Sequence, residues 1–246
     1  MSYEQVSIRT HDGECPAYVL TPSGSGRNPA VIFYMDGLGI RPTILQMGQR
    51  LASYGYVVLV PDLFYRAGHY EPLDPRAVFA SGDATDAIGH LIASTDNRRA
   101  AEDTEGFLAY LDGRDDVAGT KVGTTGYCMG GAISLTAAGT FPDRIAAAAS
   151  FHCGNLATDS DLSPHRLARA IAARVYVAGA DHDNLYPPEM AARLEQALND
   201  AGVDHRCEIY LGALHGWTMT DFPVYNEASA ERHWDELVGL FADTLT

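Results

Sequence analysis

Positive charge is the scarcest commodity in this 246-residue chain, where seventeen Lys and Arg stand against thirty-two Asp and Glu for a formal charge of −15. A nucleic-acid backbone would meet a repulsive field, so DNA and RNA are excluded as expected partners. Cysteine is sparse too: Cys15, Cys128, Cys153 and Cys207 are scattered without a C-x-x-C pair, which argues against a disulfide framework and a structural zinc module. No apolar run approaches the roughly 18 residues of a membrane-spanning helix, and Met1 to Thr10 has no basic stretch followed by an apolar one. A soluble, unexported, cytoplasmic protein with no membrane partner is expected. Linkers, charge blocks and repeats are also missing, so residues 1–246 read as one domain. What the chain does have is apolar material, 46% of its residues, enough for one core without disulfide or metal support.

The order of elements gives the fold class. Val6–Ile8 and Ala17–Leu20, around the turn-forming His11-Asp12-Gly13, predict an opening hairpin. Strand-like runs follow at Ala30–Tyr34, Tyr56–Val60, Lys121–Thr125, Ile145–Ser150, Arg174–Gly179 and Arg206–Leu211. Several lack period-two alternation, as strands covered on both faces do. Helix-like segments lie near Pro42–Tyr54, Arg98–Leu111, Met129–Thr140, Pro188–Ala201 and Asn226–Leu245. This alternation predicts an α/β fold with a mainly parallel central sheet and helices on both faces. From Asp62 to about Asn97 no long periodic element is evident. Long loops in compact domains usually have a function, and this one starts at a strand's carboxyl end, so residues 62–97 are expected to form a lid or pocket wall, with a partly helical surface excursion as the alternative.

Gly126-Tyr127-Cys128-Met129-Gly130 carries the most chemistry. It has the G-x-S-x-G pattern of a nucleophile elbow, with Cys in place of Ser. The glycines keep Cβ atoms out of a crowded strand-to-helix turn. Cys128 would stand at a helix N-terminus, whose partial positive charge favours thiolate. The Met129 amide is the natural first oxyanion donor, and the Gly37 amide in Met35-Asp36-Gly37-Leu38-Gly39 is the expected second. Asp36, Tyr127 and Trp217 are expected auxiliary residues on the substrate side.

An elbow nucleophile needs a base and an acid, in the chain order nucleophile, acid, His. His215, between the last strand and last helix and followed by Gly216, is the preferred base. Asp181 and Asp183 both qualify as the acid. Asp183 is favoured because it stands four residues before Pro187; the other should cap the Pro188 helix or face solvent. The nine histidines show no metal-binding spacing, so neither metal nor cofactor is expected. Cys15 and Cys207 read as packing residues, while His152 and Cys153 follow a strand that ends near the same place.

On these residues the chain resembles the dienelactone hydrolase (carboxymethylenebutenolidase) family of α/β-hydrolases. The resemblance runs through Asp36-Gly37-Leu38-Gly39, Pro61-Asp62-Leu63-Phe64-Tyr65-Arg66, Leu73-Asp74-Pro75, Gly126-Tyr127-Cys128-Met129-Gly130-Gly131, Asp183 to Pro187 and His215-Gly216. It implies an α/β-hydrolase fold and a Cys-Asp-His triad carried onto Cys128, Asp183 and His215. It also implies an acidic residue in the oxyanion loop that interacts with the Cys; Asp36 holds that position, one methylene shorter than the Glu of other members. Members acting on dienelactone hold its carboxylate with arginines, one shortly after the triad His. Here Met219 lies four residues beyond His215 and the next Arg is Arg232, leaving Arg66 and Arg76 as candidates.

The expected function is hydrolysis of a small-molecule ester or lactone through an acyl-thioester on Cys128. Two readings compete. One is a non-catalytic ligand-binding or thiol-sensing protein on the same fold; the other is an acyl transferase, which differs only in what accepts the acyl group.

Overall fold

The computed structural model describes residues 3–80 and 84–245. Its eight strands are β1 (Glu4–Arg9), β2 (Glu14–Leu20), β3 (Ala30–Tyr34), β4 (Val57–Pro61), β5 (Val122–Tyr127), β6 (Ile145–Phe151), β7 (Arg174–Ala180) and β8 (His205–Tyr210). They form one sheet in the order β1-β2-β4-β3-β5-β6-β7-β8. The β1–β2 and β2–β4 pairings are antiparallel and every other pairing is parallel. Every residue of β3, β4 and β5 is buried, which explains their unbroken apolar runs.

Among the described residues, seven α-helices accompany the sheet: α1 (Pro42–Ser53), α2 (Pro75–Ala80), α3 (Ala84–Ile92), α4 (Asn97–Asp112), α5 (Met129–Thr140), α6 (Pro188–Ala201) and α7 (Glu227–Thr244). Successive residues of a strand point to opposite faces, and β5 shows what covers each one. Thr124 Oγ1 lies 2.8 Å from Ser134 Oγ of α5, whereas a Cβ on Gly123 would meet Phe241 of α7 at 2.6 Å. The Arg50 guanidinium of α1 lies over the Trp234 ring of α7, so these two helices share a face. On the other, the Tyr34 hydroxyl lies 2.8 Å from Thr104 Oγ1 of α4. The expected class, a mainly parallel sheet with helices on both faces, is what forms.

The segment 62–97 is partly helical, as one of its two sequence readings has it. It contains a 3₁₀ turn at Tyr65–Ala67, then α2 and α3; residues 81–83, which the expected lid includes, lie outside the described residues. Its helices have only 6 and 9 residues, too short to build a persistent period, and α3 carries Gly89 in its interior. The segment packs on the loop after β3: the Tyr70 hydroxyl donates to Asp62 Oδ1 and accepts from the Ile40 amide. A Cβ on Gly37 would lie 3.6 Å from Ile92 and 3.8 Å from Ile88.

The chain order reverses at β3, whose neighbours are β4 and β5. Such a switch point opens a crevice beyond the carboxyl ends of the strands.

Candidate active site

Cys128 occupies the turn between β5 and α5, with φ 50° and ψ −120°. This is a strained conformation for a residue with a side chain. The flanking glycines make room for it. A Cβ on Gly126 would fall 1.9 Å from the Gly130 carbonyl oxygen, and one on Gly130 would fall 2.3 Å from that of Tyr34. The second contact seats the elbow directly on the end of β3. Cys128 is partly exposed.

His215 and Asp183 reach it from the ends of β8 and β7. His215 Nε2 lies 3.1 Å from Cys128 Sγ, and Nδ1 lies 2.6 Å from Asp183 Oδ2. The other Asp183 oxygen accepts the Leu185 amide at 2.9 Å. Burial opposes charge on His215, but hydrogen bonds to Asp183 and Cys128 and their negative charge outweigh it and raise its pKa to about 10. Burial would likewise lift the Asp183 carboxyl, yet His215 and the Leu185 amide hold it below its ordinary value.

Asp181 does not cap α6, and its side chain is only partly exposed, at 21%. Its Oδ2 accepts the Gly212 amide at 2.8 Å, and its own amide donates to Ala213 at 2.7 Å. It therefore ties the turn after β8 to the end of β7.

In the loop after β3, the Leu38 amide donates to Asp36 Oδ1 and the Gly39 amide to the Asp36 carbonyl. Gly37 is buried in this loop, and Met129 is the first residue of α5.

Asp36 itself is engaged away from the sulfur. Arg41 donates to both of its carboxylate oxygens, at 2.7 and 2.8 Å, and also to Asp221 at 2.7 Å. Charge pairing in a buried setting therefore replaces the expected contact with Cys128. Arg66 is likewise engaged, by Asp103 and Asp12. Arg76 lines a cavity of about 420 Å³ with Phe79, Thr220, Asp221 and Phe222.

Tyr127 and Trp217, expected on the substrate side, are fully buried. Tyr127 stacks on Phe33 and Phe151, and its hydroxyl lies 3.1 Å from His233. Trp217 stacks on Tyr210 and meets the His152 ring edge-on. Both are large flat side chains on inward-facing positions, where burial dominates.

His152 comes closer to the chemistry. Its ring centre is 5.5 Å from that of His215, and its Nε2 lies 2.7 Å from Thr218 Oγ1. Burial holds its pKa well below the ordinary value, so a neutral ring backs His215. The sequence offered only its place after a strand. Arg41 and Asp221 could not be found at all, because they lie 180 residues apart. Burial also raises the other thiols, Cys153 strongly and Cys207 to about 12, which leaves Cys128 as the accessible nucleophile candidate.

Among the described residues, no group of three His, Cys, Asp or Glu is arranged to hold a metal ion, and no helix is long and apolar enough to cross a membrane.

Known proteins give a consistent answer. A protein of Salmonella typhi provisionally named a carboxymethylenebutenolidase is 29% identical over 241 residues, covering 96% of this chain and 85% of that protein. Protein usf of Aquifex pyrophilus is 28% identical, covering 99% of both chains. Among solved structures, a provisionally named dienelactone hydrolase from Klebsiella pneumoniae superposes with a TM-score of 0.85 at 23% identity, covering 98% of each chain. A dienelactone hydrolase-like promiscuous phosphotriesterase from metagenomic libraries superposes with a TM-score of 0.79 at 21% identity, covering 100% of this chain and 99% of that one. The fold is that of the α/β-hydrolases. The dienelactone hydrolase family model matches residues 15–245, and the chain belongs to that family of hydrolases.

Proposed function

We propose that the protein hydrolyses a small-molecule ester or lactone through an acyl-thioester on Cys128, within a single domain in which residues 62–97 wall the site. The observation that carries this reading is the continuous line from Asp183 through His215 to the Cys128 sulfur, with contacts of 2.6 and 3.1 Å. Geometry of this kind lets a base take the thiol proton and a carboxylate hold the base in orientation.

The Cys128 thiolate attacks the carbonyl carbon, and the oxyanion is received by the amides of Gly37 and Met129. When the tetrahedral intermediate collapses, the C–O bond to the leaving group breaks and the imidazolium of His215 protonates the departing oxygen. Water, deprotonated by His215, then attacks the thioester; the thiolate leaves and the acid is released. Asp183 keeps Nδ1 of His215 facing it and stabilises the charged ring. A thiolate departs more readily than an amine, so activated esters and lactones are better substrates than amides.

Membership in a family of hydrolases weighs against a purely binding role. The deciding measurement is turnover of a p-nitrophenyl ester by Cys128→Ala. The variant should fold normally and lose at least about a hundredfold in kcat/KM; retention of wild-type activity overturns the mechanism.

A further inference from the structure

Resting on that reading, we propose that the substrate's acyl portion is apolar and uncharged, and that Leu185, Leu214, Ile92 and Phe79 form the rim that receives it. Among the described residues nine large apolar side chains remain exposed, and these four are tied by contact or by sequence to the segments that carry Asp183, His215 and Gly37. Leu185 and Leu214 are each 49% exposed. The Leu185 amide binds Asp183, and Leu214 immediately precedes His215. Ile92 faces Gly37 of the oxyanion loop at 3.6 Å from where its Cβ would be. Phe79 packs edge-on against Phe222, whose ring crowds Gly216 beside His215. Exposed apolar surface beside a nucleophile is a place where a ligand can cover it.

The charges nearby point the same way. Arg41 is sealed at 2% exposure between Asp36 and Asp221. Arg66 is held by Asp103 and Asp12, and Arg232 pairs with Glu208. The His215 ring beside the nucleophile is already paired with Asp183, and the whole chain carries −15. An anionic acyl group entering this rim would lose hydration without gaining a free guanidinium. Arg76, a further cation among the described residues, shares its cavity with the Asp221 carboxylate.

The test compares two esters of equal acyl length on the full chain, p-nitrophenyl valerate and mono-p-nitrophenyl glutarate, which differ in a terminal methyl against a carboxylate. The expected result is a kcat/KM at least about tenfold higher for the valerate, with the ratio falling in Leu214→Arg and Leu185→Arg as a cation enters the rim. Truncating the rim in Leu185→Ser should raise KM for the valerate more than it changes kcat. Equal or faster turnover of the glutarate would overturn the inference while leaving the hydrolase reading standing, and loss of that turnover in Arg76→Ala would identify Arg76 as an anion subsite instead. Absence of turnover of either ester would bring down the hydrolase reading and this inference with it.

Discussion

Arg41 grips both oxygens of Asp36 while its Nε holds Asp221, so one buried guanidinium joins the loop after β3 to the loop that follows His215. Both partners of the Asp36–Arg41 pair are almost wholly removed from water, with side chains 2% and 1% exposed. Such a pair adds little over an apolar replacement, but breaking it strands a buried charge. The ring of Phe222, 5.1 Å from the guanidinium carbon, completes the enclosure.

Arg41→Met should therefore destabilise the protein by about 3–5 kcal/mol in urea unfolding. The double variant Arg41→Met with Asp36→Leu should recover much of that loss, because the buried charge is then gone and the Asp221 carboxylate, 24% exposed, still meets water. A loss below about 1 kcal/mol for Arg41→Met would mean that water reaches Asp36 and that the cluster behaves like a surface ion pair.

The two aspartates after β7 have different partners, Asp183 the His215 ring and Asp181 the Gly212 amide. Asp183→Asn removes the charged partner of His215 and should lower kcat/KM for an ester by about 10²–10⁴. Asp181→Asn keeps an oxygen for the Gly212 amide and should lower it by less than about tenfold. A reversed ranking in steady-state kinetics would reassign the acid.

Proton release from His215 should set an alkaline limit on turnover. With its pKa raised to about 10, the imidazolium that protonates the leaving group persists through neutral pH, and kcat/KM should fall as pH rises through that value. In Asp183→Asn the descending limb should move to lower pH, since a raising influence is gone. The same shift has a stability counterpart: the contribution of the charged ring is fully present below the unfolded-state pKa of about 6.5 and is lost as pH rises toward about 10. A pH–rate profile that stays flat to pH 11 would contradict the assignment.

His233 behaves in the opposite sense. It is fully buried beneath Tyr127, and burial lowers its pKa to about 3. The unfolded chain binds a proton there that the folded chain refuses, so stability is lost as pH falls from about 6.5 toward 3. His233→Gln should flatten the acid side of the stability curve by about 1.4 kcal/mol per pH unit. Urea titrations between pH 6 and 4 read this slope directly; an unchanged slope would show that the histidine charges inside the fold.

Much of the architecture lies in local pattern. The runs Ala30–Tyr34, Met129–Thr140 and Pro188–Ala201 form elements with those same limits. Each has an unambiguous period or a marked start, such as Pro188 or the elbow glycines. Segment 62–97 was less legible because its helices are too short for periodicity to rise above chance.

By itself the sequence determined the strand–helix alternation, the glycine-flanked Cys128 turn, and the identity of the residue types able to serve it, because these depend on near neighbours along the chain. Tertiary structure alone decided that Asp183 and not Asp181 meets His215, that Arg41 engages Asp36, and that Tyr127 and Trp217 turn into the core. Those outcomes depend on which side chains arrive from distant segments and on how much water each loses on arrival, and burial and charge pairing settle both only when the whole sheet has closed.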